Sequence, residues 1–130
     1  DLDVTFVHVL PNLPAMYWDD GHLLNSREKQ ERKKVVDTLT ARQREYIEPI
    51  IEGAMGELVK KGFARERVRM KFVLGSADIA DSLLDEAALG KHDTIVIGRC
   101  GIADGKHLIA GGIVSKLIHK AAGLAVCVVQ

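Results

Sequence analysis

The stretch Val4-Thr5-Phe6-Val7-His8-Val9-Leu10 is apolar apart from Thr5 and His8, rich in β-branched residues and stopped by Pro11. That pattern predicts a buried strand. From Pro11 to Asn25 two prolines, Gly21 and the Tyr17-Trp18 pair follow no period, so the segment reads as a loop lying on the core. Ser26 is the candidate N-cap of the charged stretch that follows, although Lys29 denies it the acidic partner of a capping box. Beyond it Val35, Val36, Leu39, Tyr46, Ile47, Ile50, Ile51, Ala54, Met55, Leu58 and Val59 recur at three- and four-residue steps. This predicts a long helix with one buried stripe, kinked or split at Pro49 and ended by Gly62.

Residues Arg67 to Val73 alternate polar and apolar, which predicts a strand with one wetter face near a sheet edge. Ser76 then caps a helix whose apolar face is Ile79, Leu83, Leu84, Ala87 and Ala88, and Gly90 terminates it. Thr94 to Ile97 is a short buried strand running into Gly98, Ile113 to Ala121 reads as a helix, and Leu124 to Val129 as the last strand, with Cys127 in the core. Strands alternating with helices argue an α/β fold, a parallel sheet covered on both faces by helices in right-handed crossovers.

At 130 residues the chain is expected to form one domain over 1–130. Eighteen basic side chains balance eighteen acidic ones, which removes the electrostatic reason to bind nucleic acid or an anionic membrane surface over a broad face. No apolar run reaches bilayer length, and no targeting segment is visible. Cys100 and Cys127 make no disulfide framework, so the expected location is the reducing cytoplasm.

Candidate chemistry concentrates after Ile97, because ligands bind beyond the carboxyl ends of parallel strands. The segment contains Gly98, Gly101 and then Gly111-Gly112 opening a helix. Glycines let backbone approach a ligand closely, and a helix start carries unsatisfied N–H donors with a partial positive charge. Together they suit a phosphate chain, though the spacing is neither that of a P-loop nor GxGxxG. The same glycines would also serve as plain turns in this architecture.

The remaining candidates read as structural. His8, His22, His92, His107 and His119 have no metal-ligand spacing, so no metal site is expected. Cys100 stands beside Arg99 but has no histidine or second cysteine at a redox spacing, so it reads as a loop thiol. Asp78, Asp81, Asp85 and Glu86 fit the solvated face of their helix, and Lys106 and Lys116 read as surface lysines close in sequence to the glycines. With no activated nucleophile or base, catalysis beyond slow hydrolysis of a bound nucleotide is not expected.

The pattern Gly-x2-Gly-x9-Gly from Gly98, with the flanking segments His8-Val9-Leu10, Val73-Leu74-Gly75-Ser76-Ala77 and Asp93-Thr94-Ile95-Val96-Ile97, resembles the universal stress protein family over nearly the whole chain. The resemblance implies a doubly wound open parallel sheet of the adenine-nucleotide α-hydrolase-like type, a regulatory role in stress response, and ATP as ligand. It places Val9 and Ile97 beside adenine and ribose, Gly98, Cys100 and Gly101 along ribose and phosphates, and Gly111, Gly112, Ile113 and Val114 around the phosphate chain. It also implies a homodimer formed through the last strand, Leu124 to Gln130. The alternative is a dimerisation module of the same family that binds no nucleotide.

Two departures modify this expectation. Where ATP-binding members carry hydroxyls, this chain has Gly112 and Val114. Losing two side-chain donors worth about 1 kcal/mol each weakens binding while the backbone amides remain. The family's first strand and helix also have no counterpart here, and that strand lies mid-sheet. Its absence would leave backbone groups unpaired in the interior, so sequence upstream of Asp1 or a partner segment is expected to supply it.

Overall fold

The structure is a computed structural model and describes residues 2–10, 25–75, 78–98 and 112–129. The chain divides into two compact units, Asp1–Leu74 and Gly75–Gln130. Among the described residues each unit contains one parallel strand pair bridged by a helix, so the chain is a mixed α/β protein.

In the first unit β1 (Val4–Leu10) pairs in parallel with β2 (Val68–Leu74), Val4 opposite Val68 and Leu10 opposite Leu74. The crossover between them contains α1 (Ser26–Lys60) and a 3-10 turn at Arg65–Arg67. Two parallel strands cannot be joined by a hairpin, and α1 packs on both of them as the intervening helix. Val9, Leu10, Met55 and Val68 form the buried part of this unit.

The start of α1 is set by Asn25, not by Ser26. Asn25 Oδ1 accepts from the amides of Arg27 and Glu28, while the Glu28 carboxylate accepts from the Asn25 amide at 2.9 Å, which completes a capping box. At the other end Gly62, at φ +102°, takes the left-handed position, and the amides of Gly62 and Phe63 donate to Val59 and Leu58. This is the Schellman exit expected of a glycine just past a helix. Pro49 neither splits nor ends the helix. It lies on an exposed turn, where water can satisfy the carbonyl that loses its amide partner.

The apolar positions of α1 do not form one buried stripe. Only Met55 is buried, whereas Val35, Leu39, Tyr46 and Ile50 are exposed. The reason is length: 35 residues of helix span about 52 Å, and strands of seven residues about 23 Å. The sheet can cover only part of such a helix.

In the second unit β3 (Thr94–Gly98) pairs in parallel with β4 (Ala125–Val129), Thr94 opposite Ala125 and Gly98 opposite Val129. The crossover helix is α3 (Gly112–Lys120), which packs on β4 and on α2 (Ile79–Leu89). Its core is Ala80, Ala87, Val114 and the fully buried Leu117. Residue Asp78 caps α2, its carboxylate accepting from the Ala80 amide at 2.9 Å; Ser76 lies outside the described residues. At the end of α2 the left-handed position falls on Lys91, at φ +52°, and not on Gly90. A Cβ at position 90 would meet the His92 ring at 2.5 Å and the Glu86 carbonyl at 3.2 Å, so a side chain there would displace the His92 ring.

Two burial expectations are overturned in this unit. Cys127 is exposed instead of core, because β3 and β4 half-bury Ile95, Ile97 and Val126 on one face and leave Val96, Cys127 and Val129 uncovered on the other. On α2, Ala80, Ser82, Glu86 and Ala87 are buried, while Ile79 and Ala88 are exposed. Glu86 therefore does not belong to a solvated face.

Candidate functional site

The carboxyl end of β3 delivers Ile97, half-buried, and Gly98, exposed, to the edge from which residues 99–111 depart. The chain returns at Gly112, the first residue of α3. A nine-residue helix covers about 13 Å, and residues 121–124 then lead into β4, which starts in register with β3. The helix thus runs back against the strand direction, and its N-terminal amides point toward the carboxyl end of the pair. That is the polarity a phosphate-binding turn needs.

The first turn of α3 is asymmetric. Gly112 is exposed, and among the described residues nothing lies within 4 Å of a Cβ built there. Ile113 is at the margin of exposure, and Val114 turns its side chain into the core. The Val114 isopropyl group is therefore directed away from solvent at the helix start. Cys100, Gly101 and Gly111, and with them Lys106 and His107, lie outside the described residues. Val9 belongs to the first unit, buried near the carboxyl end of β1 opposite Val73.

The cation nearest the helix start in the described sequence is already engaged. Lys116 Nζ donates to Asp78 Oδ2 at 2.5 Å, and one turn further along Lys120 Nζ donates to Asp81 Oδ1 at 2.6 Å. The two pairs join α2 to α3. The Lys116 hydrogen bond, aided by the Ala80 amide, holds the Asp78 carboxyl below its ordinary value, and the hydrogen bond to Asp81 raises that of Lys120. All four groups are solvent-accessible, so the pairs orient side chains more than they stabilise the fold.

His8 lies on β1 in the first unit. Burial lowers its pKa below 6.5, and its ring meets Phe72 edge-on with centroids 5.9 Å apart. The Arg44 guanidinium sits over the Phe72 ring, 4.9 Å from its centroid. A histidine held neutral by the fold binds its proton more readily when unfolded. The first unit is therefore expected to keep its full stability above pH 6.5 and to lose some as pH falls through 6.5 toward the lower folded value. Urea unfolding at pH 7.5 and 5.5 should show the loss, and His8→Phe should flatten it; an unchanged slope in that variant would assign the dependence to other groups.

Among the described residues no group of three or more His, Cys, Asp or Glu side chains converges as a metal site, and no helix is long and apolar enough to cross a membrane. No protein family, curated protein or solved structure matches the chain.

Proposed function

We propose that the chain is a universal stress protein-like regulatory domain that binds an adenine nucleotide, ATP, weakly or conditionally, and that turns it over slowly if at all. The observation that carries this reading is the β3–α3–β4 unit. A parallel strand ends in Gly98, a glycine-containing connection follows, and a helix opens at Gly112 with its amides toward the strand's carboxyl end. Ile97 and Gly98 would meet adenosine, Gly112 and Ile113 would meet phosphate through backbone N–H groups, and Cys100, Gly101 and Gly111 would complete the lining.

The strand pairing supports the doubly wound architecture. Each parallel pair with its helical crossover is the strand–helix–strand unit from which such sheets are built. The bare face carrying Val96, Cys127 and Val129 fits the same reading, since continuous apolar strands belong to sheets covered on both sides.

Calorimetric titration with Mg·ATP tests the site. Saturable binding with Kd between about 10 μM and 1 mM, roughly −7 to −4 kcal/mol, is expected. No binding at millimolar ATP would leave the second reading, an interaction module without nucleotide that dimerises through Leu124 to Gln130. The exposed apolar residues of β4, a strand paired only with β3 among the described residues, favour that module independently of any ligand.

A further inference from the structure

The uncovered residues of α1 form a second apolar face, opposite the one on the sheet. At 100° per residue Val35, Leu39, Arg42, Tyr46 and Ile50 fall within an arc of about 80°, and Ile51 and Met55 lie roughly 140° or more around the helix from its centre. The apolar members are 47% (Val35), 42% (Leu39), 69% (Tyr46) and 45% (Ile50) exposed. A hollow of about 240 Å³ borders the stripe, lined among the described residues by Lys34, Val35, Thr38 and Leu39.

The charge of the same helix changes sign at the middle of this stripe. Residues 26–44 carry seven basic and three acidic side chains; residues 45–59 carry four acidic and no basic ones. A helix whose halves are oppositely charged is complementary to itself run antiparallel. We propose that this face is the interface for a second copy of the chain, an isologous antiparallel helix pair with its two-fold axis between Arg42 and Gln43.

The register follows from the positions. Val35 and Ile50 are equidistant from that axis, and so are Leu39 and Tyr46, so each apolar residue meets an apolar residue of the other copy. On one flank Arg42 comes opposite Glu45 of the other copy, the pair occurring twice by symmetry. The Tyr46 ring of the second copy reaches Leu39 at the mouth of the hollow. Pairing through α1 is independent of nucleotide binding and of any contact through β4.

Two measurements test the register. In a Cys100→Ser/Cys127→Ser background, Gln43→Cys should be linked into a dimer by a short bis-maleimide, whereas Gln30→Cys, about 37 Å from its symmetry mate at helical rise, should not. Arg42→Glu and Glu45→Arg should each lower the linked fraction at Gln43→Cys at least tenfold at low salt, and the double exchange should restore it to within about threefold, the rest of the interface being unchanged. These positions are on the helix surface, and circular dichroism verifies that helix content is kept. Absence of linkage at Gln43→Cys, equal linkage at Gln30→Cys, or a double exchange no better than the singles would overturn the proposal, whatever dimer forms through β4.

Discussion

Leu117→Ala should lower the unfolding free energy of the second unit by about 3 kcal/mol, the middle of the range for a fully buried leucine. Leu117 and Val114 are one helical turn apart and are the two buried residues of α3, so they seat that helix. Truncation removes about three carbons' worth of apolar burial and leaves a cavity. The ion pairs flanking it, at Lys116 and Lys120, are exposed to water and cannot compensate. Against a total stability of typically 5–15 kcal/mol this is a large fraction. The neighbouring Ile118→Ala serves as control: Ile118 is exposed, and its truncation should cost at most about 0.5 kcal/mol. Urea unfolding followed by circular dichroism separates the two. A Leu117→Ala loss below about 1 kcal/mol would mean that α3 is not held by this contact.

Much of the architecture is legible in the residue pattern, and the failures share a physical cause. β1 could be delimited because a largely apolar run rich in β-branched residues meets a proline, and β3 because its apolar residues end at Gly98. The capping box at Asn25 had a readable signal, a cap residue three positions before Glu28, one place upstream of the serine chosen. Burial was harder. Periodicity identifies which positions share a helix face but not whether anything stands opposite, so α1 looked like a core helix along its length although two seven-residue strands cover only a part. Cys127 failed for the same reason: an apolar strand shows that a face can be covered, not that it is.

The candidate site is split along a similar line. Gly98 and Gly112 bracket the connection as their spacing suggests, and Ile97 is at the strand end, because these follow from local chain geometry. The engagement of Lys116 by Asp78 joins residues 38 positions apart and has no local signature. Nor does the burial of Glu86, which depends on how α2 meets its neighbours.

Gly112→Asp should separate fold from function by moving them in opposite directions. Among the described residues nothing stands within 4 Å of a Cβ at 112, and the position has no positive φ, so no steric objection arises there. An acidic group in the first turn interacts favourably with the helix dipole, and aspartate is a better helix residue than glycine, so stability should hold or rise by up to about 1 kcal/mol. The same carboxylate would stand where the phosphates are proposed to sit, and two like charges about 4 Å apart repel by several kcal/mol at an effective dielectric near 20. ATP binding should therefore fall at least about 100-fold in the same protein whose melting temperature is unchanged or higher. Gly112→Ser should do the reverse to the ligand, offering one hydroxyl donor and strengthening binding about five- to tenfold. Calorimetry with Mg·ATP beside thermal unfolding reads both quantities. If Gly112→Asp binds ATP as the unmodified chain does, the start of α3 does not face the phosphates, and binding observed in the unmodified chain must be sought elsewhere.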